Sequence, residues 1–193
     1  MPLLNIANVL TTVRILLVPF FIWFLLADAG AGQVFRWLAV AVFAVAIYTD
    51  KLDGDLARSR GLITNFGKIA DPIADKLLIG AALILLSVLG DLPWWITVVI
   101  LVRELGITLL RFVVIRHGVM PASRGGKLKT VLQTLAIFLY LLPLEAWLGA
   151  WAVWVAFAVM AVAVVVTVVT GIDYVVKAVA LRRAALAKTR GRQ

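Results

Sequence analysis

Five aspartates stand within one short stretch, YTDKLDGDLARSRGLITNFGKIADPIADK, which runs from Tyr48 to Lys76. They are Asp50, Asp53, Asp55, Asp71 and Asp75, half of the ten acidic residues in a 193-residue chain that is 64% hydrophobic. Asp50 and Asp53 are three apart and Asp71 and Asp75 four apart, so on helices each pair shares a face. Two such helices joined by a tight turn are antiparallel neighbours and can point all four carboxylates into one space. Four like charges at the edge of an apolar medium repel one another and are costly to desolvate. The arrangement calls for a cation. With no His or Cys nearby, carboxylate oxygens suit hard divalent ions, Mg2+ or Mn2+. Asp55, two positions from Asp53, points elsewhere and is left out of the site.

The elements that must hold these residues are read from the apolar runs between charged clusters. Each run is roughly twenty residues long, enough to cross a ~30 Å hydrocarbon core as a helix. The reading is an all-α integral membrane protein, one domain over 1–193, with six transmembrane helices at about 13–29, 34–57, 68–90, 93–116, 128–148 and 150–178. Lys and Arg gather on one side: Lys51, Arg58, Arg60, Lys68 and Lys76, then Arg116, Arg124, Lys127 and Lys129, then the tail from Arg182. Arg36 is the exception. This asymmetry puts both termini, and the aspartate-bearing turn, in the cytoplasm. Trp94, Trp95, Trp147, Trp151 and Trp154 fall near the opposite interface, as an aromatic belt would.

Before the first span, NIANVLTTVR has Ile6, Val9, Leu10 and Val13 at helical spacing, which predicts a short N-terminal amphipathic helix on the cytoplasmic surface. The first span lacks a basic leader and a strong cleavage site, and is read as retained. The basic tail from Leu181 is expected to be a frayed helix end or disordered. Lack of cysteine excludes disulfides and thiolate metal sites. The net charge of +9 does not point to nucleic acid, because the basic residues sit at the ends of apolar runs, where anionic lipid headgroups lie.

Structural readings compete for single aspartates. Asp71 before Pro72 has the form of a helix N-cap followed by proline at the first helical position. Asp50 and Asp53 could pair with Lys51, Arg58 or Lys76. Neither reading explains both pairs together, nor the small residues Gly54, Ala57 and Gly67 beside them, where a ligand or backbone can approach closely.

Asp50, Asp53-Gly54, Ala57-Arg58, Gly67, Asp71 and Asp75 match, without a spacing error, the signature D-x2-D-G-x2-A-R-x8-G-x3-D-x3-D. The chain thereby resembles the CDP-alcohol phosphatidyltransferases, whose six-span plan it also shares. The resemblance implies that Asp50, Asp53, Asp71 and Asp75 hold two divalent cations, Mg2+ or Mn2+, and that Asp75 is also the catalytic base. It assigns Asn8, Gly54, Ala57, Arg58, Thr64 and Gly67 to the CDP-linked lipid donor, CDP-diacylglycerol. It further implies a homodimer in a bacterial inner membrane, with the site facing the cytoplasm. The chemistry is physically sensible, since two ions ~3.5–4 Å apart clamp a pyrophosphate and stabilise a leaving phosphate. A neighbouring carboxylate can take the proton of an attacking alcohol.

The acceptor alcohol must be read elsewhere. Between Val102 and Thr130, Glu104, Thr108 and Arg111 form a polar stripe at i, i+4 and i+7 on an apolar helix. Arg103 and Glu104 near mid-span must face the protein interior or a wet cavity, and a structural Glu104–Arg pair is the competing reading. Arg111 with Ser123, Lys127 and Lys129 can form a cationic pocket beside the metals. GGKLKT is not a phosphate-binding P-loop, because Pro121 stands where glycine is needed and Leu128 replaces its Ser/Thr. The stretches NIANVLTTVR, RELGITLLR and ASRGGKLKTVLQ resemble family members whose acceptor is glycerol 3-phosphate, with Ala7 replacing a proline often found before Asn8. Members that use phosphatidylglycerol are the runner-up; they commonly carry Arg-Asp at 103–104. Synthases for inositol phosphate or serine come third. A small cation transporter is the reading from another class; it predicts midplane carboxylates in duplicated halves, and no second copy of the cluster exists.

Overall fold

A computed structural model describes the backbone of residues 6–28, 33–59, 65–114 and 124–190, and the side chains of 8–28, 33–52, 67, 70–112 and 125–183. Among the described residues the chain is helical and contains no strand. The helices are α1 (Ile6–Ala27), α2 (Val34–Ser59), α3 (Asn65–Val88), α4 (Trp94–Val114), α5 (Arg124–Leu141), α6 (Leu144–Leu148) and α7 (Ala150–Arg190). Asn8–Ala27 and Ala150–Arg183 are long and apolar enough to cross a membrane.

Three boundaries differ from expectation. The separate surface helix at the N-terminus does not exist, because α1 runs unbroken from Ile6 to Ala27. The fifth segment stops at Leu141 and restarts as the five-residue α6 after Pro143, whose ring and missing N–H cannot continue a helix. The tail is helical as far as Arg190. Its sequence LRRAALAKTR is rich in strong helix formers, so α7 outlasts its apolar stretch.

The fold comprises two compact units, 1–92 with 137–153, and 93–136 with 154–193. In the first, α1 packs along both α2 and α3, far more extensively than those two pack on each other. The buried face of α1 is Asn8, Thr11, Arg14, Val18, Phe21 and Leu25. These steps of three and four trace one stripe along a helix. It is polar at the N-terminal end and apolar beyond. Val9, Val13, Leu16, Phe20, Trp23 and Leu26 face outward. Apolar outside with polar inside is the distribution that a lipid solvent favours.

Facing this stripe, α2 buries Ala39, Phe43 and Ala46, and α3 buries Ala70, Ala74 and Leu78. Alanines at these positions let the helix backbones approach closely. Phe21 and Phe43 meet with ring centroids 5.8 Å apart. α3 ends where Gly90 adopts φ 84° and the Asp91 N–H reaches back to the Leu86 carbonyl at 2.9 Å. Glycine enters this left-handed conformation without a Cβ penalty.

Arg36, the outlier of the charge pattern, has a local function. Its Nε donates to the Leu141 carbonyl (2.9 Å), and its Nη2 to the Tyr140 carbonyl (2.9 Å) and Asp91 (2.7 Å). It caps carbonyls at the end of α5 that have no helical donor. In the second unit, α7 buries Ala156, Met160, Ala163 and Val164 while Trp154, Val165, Val169 and Ile172 face outward.

Candidate active site

The carboxylates are placed from the C-terminal half of α2 and the N-terminal half of α3. On α2 the buried positions Ala39, Phe43 and Ala46 lead at helical spacing to Asp50, so Asp50 continues the face turned to α1. On α3, Asp71 and Asp75 follow Ala70 and Ala74 along the edge of the buried face, and both are half-buried. Gly67 is buried one turn earlier. Because α3 begins at Asn65, Asp71 is an interior helical residue and not an N-cap. Pro72 then also lies inside the helix, where its missing N–H removes the bond to the Lys68 carbonyl.

Both Asp50 and Asp71 take a partner on α1. Arg14 Nη1 lies 2.6 Å from Asp50 Oδ1, with the Arg14 side chain 1% exposed and that of Asp50 45%. Thr11 Oγ1 donates to Asp71 Oδ1 at 2.5 Å. Thr11 and Arg14 are one turn apart on α1, so carboxylates from two helices converge on a single face of a third. α2 and α3 also touch each other, less extensively than each touches α1. The Arg14 guanidinium offsets the negative charge of Asp50, and the Thr11 hydroxyl gives Asp71 a hydrogen-bond donor.

Thr11 and Arg14 were missed in the sequence reading, although a signal exists. Asn8, Thr11 and Arg14 recur every third residue in an apolar helix, and a buried arginine in such surroundings needs an anion.

Asp53, Gly54, Ala57 and Arg58 lie on α2, but their side chains fall outside the described residues, as do Thr64 and Ser123 altogether. Among the described residues no three acidic, His or Cys side chains form a metal-binding group. The donor chemistry nonetheless fits hard cations. It is made of carboxylate oxygens from two helices, two per helix at i,i+3 and i,i+4, with no His or Cys in the stretch.

The proposed acceptor residues belong to the second unit. Arg111 Nη2 donates to the Tyr174 hydroxyl at 2.7 Å, and its guanidinium lies 5.0 Å from that ring's centroid. Lys127 is exposed. Lys129 is buried, and its ammonium is bonded to Glu104. Arg103 also bonds Glu104, at 2.9 Å, so the structural Glu104–Arg pair is formed and both residues are largely covered. Thr108, third member of the expected polar stripe, turns its hydroxyl back to the Glu104 carbonyl at 2.7 Å.

The family model of the CDP-alcohol phosphatidyltransferases matches residues 4–184. The chain belongs to that family and is a membrane transferase of phospholipid biosynthesis. A Mycobacterium tuberculosis protein named probable phosphatidylglycerophosphate synthase is 54% identical over 175 residues, 91% of this chain and 82% of the relative. A Bacillus subtilis protein named CDP-diacylglycerol–glycerol-3-phosphate 3-phosphatidyltransferase is 40% identical, over 73% of this chain and 80% of the relative. A Streptomyces coelicolor cardiolipin synthase (CMP-forming) is 32% identical, over 95% of this chain and 87% of the relative.

Proposed function

We propose that this protein transfers the phosphatidyl group of CDP-diacylglycerol to glycerol 3-phosphate, giving phosphatidylglycerophosphate and CMP. The observation that carries the reading is the convergence of Asp50 and Asp71, from two helices bearing the signature, on one face of α1. The names of the mycobacterial and Bacillus relatives support the same acceptor.

Asp50, Asp53, Asp71 and Asp75 would hold two Mg2+ or Mn2+ ions, whose chemistry there is charge stabilisation on the pyrophosphate and the departing CMP. Gly54, Ala57 and Gly67 leave room for the donor, with Asn8 and Thr64 as further contacts, and Arg58 supplies a planar fork for its phosphate. Arg111, Ser123, Lys127 and Lys129 receive the phosphate of the acceptor. Asp75 takes the proton from the acceptor's primary hydroxyl. That oxygen forms a bond to the lipid-side phosphorus as the bond from phosphorus to CMP breaks. The protein works as a homodimer with six spans per chain, in a bacterial inner membrane, with the site and both termini cytoplasmic.

The test is CMP release by purified protein given CDP-diacylglycerol and each acceptor in turn. Glycerol 3-phosphate should be the preferred one. The S. coelicolor relative favours a second reading, with phosphatidylglycerol as acceptor, and preference for that lipid would install it. Topology is tested separately by cysteine labelling. Ser59→Cys and Ser123→Cys should react only from the cytoplasmic side and Gly30→Cys only from outside; the reverse pattern would overturn the orientation.

A further inference from the structure

We propose that Glu104 is the positioning residue for Lys129 in recognition of the acceptor's phosphate, and that Arg103 in turn holds Glu104. The inference rests on the acceptor reading above and goes beyond it. α4, α5 and α7 each contribute to one polar cluster inside the second unit. Glu104 Oε1 accepts from Lys129 Nζ and from Arg103 Nη1, the latter at 2.9 Å. Arg103 Nη2 donates to Thr170 Oγ1 at 3.1 Å. Its stem lies on Gly171, where an added Cβ would come within 3.1 Å of Arg103 Cγ.

A lysine ammonium rides on a flexible four-carbon stem and is a poor fixed binder unless something holds it. Lys129 is 6% exposed, so most of its length is enclosed and its charged end meets the Glu104 carboxylate. Glu104 is itself anchored by a guanidinium, a planar group fixed at both ends by Glu104 and Thr170. The order of control therefore runs from α7 through Arg103 to Glu104 and on to Lys129. Three buried polar atoms on the same helices have no hydrogen-bond partner: Arg103 Nε on α4, Gln133 Oε1, one turn beyond Lys129 on α5, and Thr167 Oγ1, one turn before Gly171 on α7. Unsatisfied buried oxygens are rare and mark a place for a polar ligand or water.

The rival account is that the cluster only clamps three helices together, as buried ion pairs do elsewhere. The two accounts differ in which constant moves. With the purified full-length protein in detergent, Glu104→Gln keeps the shape of the side chain and removes its charge. A positioning role predicts a rise of about tenfold or more in the KM for glycerol 3-phosphate, on the scale of one lost charge-assisted contact. The KM for CDP-diacylglycerol should stay within about twofold. A double-mutant cycle with Lys129→Met completes the test. If Glu104 acts through Lys129, Glu104→Gln adds nothing to the acceptor KM once Lys129 is methionine. Should Glu104→Gln fail to fold alone, the Glu104→Gln/Lys129→Met pair, which removes opposite charges together, is compared with Lys129→Met. An unchanged acceptor KM, equal shifts for both substrates, or additive losses in the cycle would overturn the proposal. Wild-type protein that makes no CMP from glycerol 3-phosphate would instead overturn the acceptor reading, before any variant is compared.

Discussion

In the first unit carboxylates are in the majority, and α1 brings them a guanidinium at 2.6 Å and a hydroxyl at 2.5 Å. In the second the majority is cationic, and the Glu104 carboxylate stands between Arg103 and Lys129. Each region buries charge inside an apolar helical protein, and each does so by pairing across helices. They differ in the sign of the excess. An acidic excess suits divalent ions and the donor pyrophosphate they clamp. A basic excess suits a phosphate monoester. The comparison teaches that the protein holds two charge clusters of opposite sign, and under the function proposed above the donor would fall to the acidic one and the acceptor to the basic one.

The largest effect should come from destroying the acidic region. A chelator should abolish CMP release, with Mg2+ or Mn2+ restoring it, and Asp75→Asn should lower kcat by about a hundredfold or more. Asn at Asp50, Asp53 or Asp71 should likewise remove most turnover while the protein stays folded, whereas Asp55→Asn should be mild. Undiminished activity in chelator would end the two-metal account.

Next comes a contrast of substrates. Arg111→Ala or Lys127→Ala should raise the acceptor KM about ten- to a hundredfold, from a contact of roughly 1.5–3 kcal/mol. Affinity for CDP-diacylglycerol should hardly change. Arg58→Ala should do the reverse. All three remove one positive charge, so a general loss of field cannot produce opposite selectivities.

A smaller effect is expected at the orienting hydroxyl of the acidic region. Thr11→Val keeps the volume and deletes the bond to Asp71, which should raise the metal concentration for half-maximal activity about tenfold. Thr11→Ser should retain it. Smallest of all, Gly171→Ala crowds the Arg103 stem in the basic region. It should cost about 1 kcal/mol of stability, seen as a lowered thermal midpoint, because the added Cβ meets Arg103 Cγ at 3.1 Å.

That Asp50 lies on α2 and Asp71 and Asp75 on α3 was legible because helical periodicity is local information. Spacings of three and four between Asp50 and Asp53 and between Asp71 and Asp75 define helix faces wherever the helices go. The N-cap reading of Asp71 failed for an equally local reason, since α3 starts about two turns earlier than the Asp-Pro pair suggests. The fate of NIANVLTTVR was harder to see. Both of its faces are periodic, and in water the apolar one would be buried; a lipid surround inverts that choice, hiding Asn8, Thr11 and Arg14 and exposing Val9 and Val13. Arg36 looked like noise in the charge pattern until the fold brought the end of α5 to it.

By itself, then, the sequence determined an all-helical apolar chain, the residues that share each helix face, and the signature that marks the family. Those properties depend on helical periodicity and composition, which neighbours in the chain set. Only the tertiary structure decided that α1 stands against both α2 and α3, that Arg14 answers Asp50, and that Lys129 is held by Glu104. Those pairings join residues 25 to 60 positions apart, and no local rule selects among the charged partners available. They are chosen because burying a charge in an apolar interior is too costly without an opposite charge or hydrogen bond within about 3 Å, and packing leaves each group few candidates.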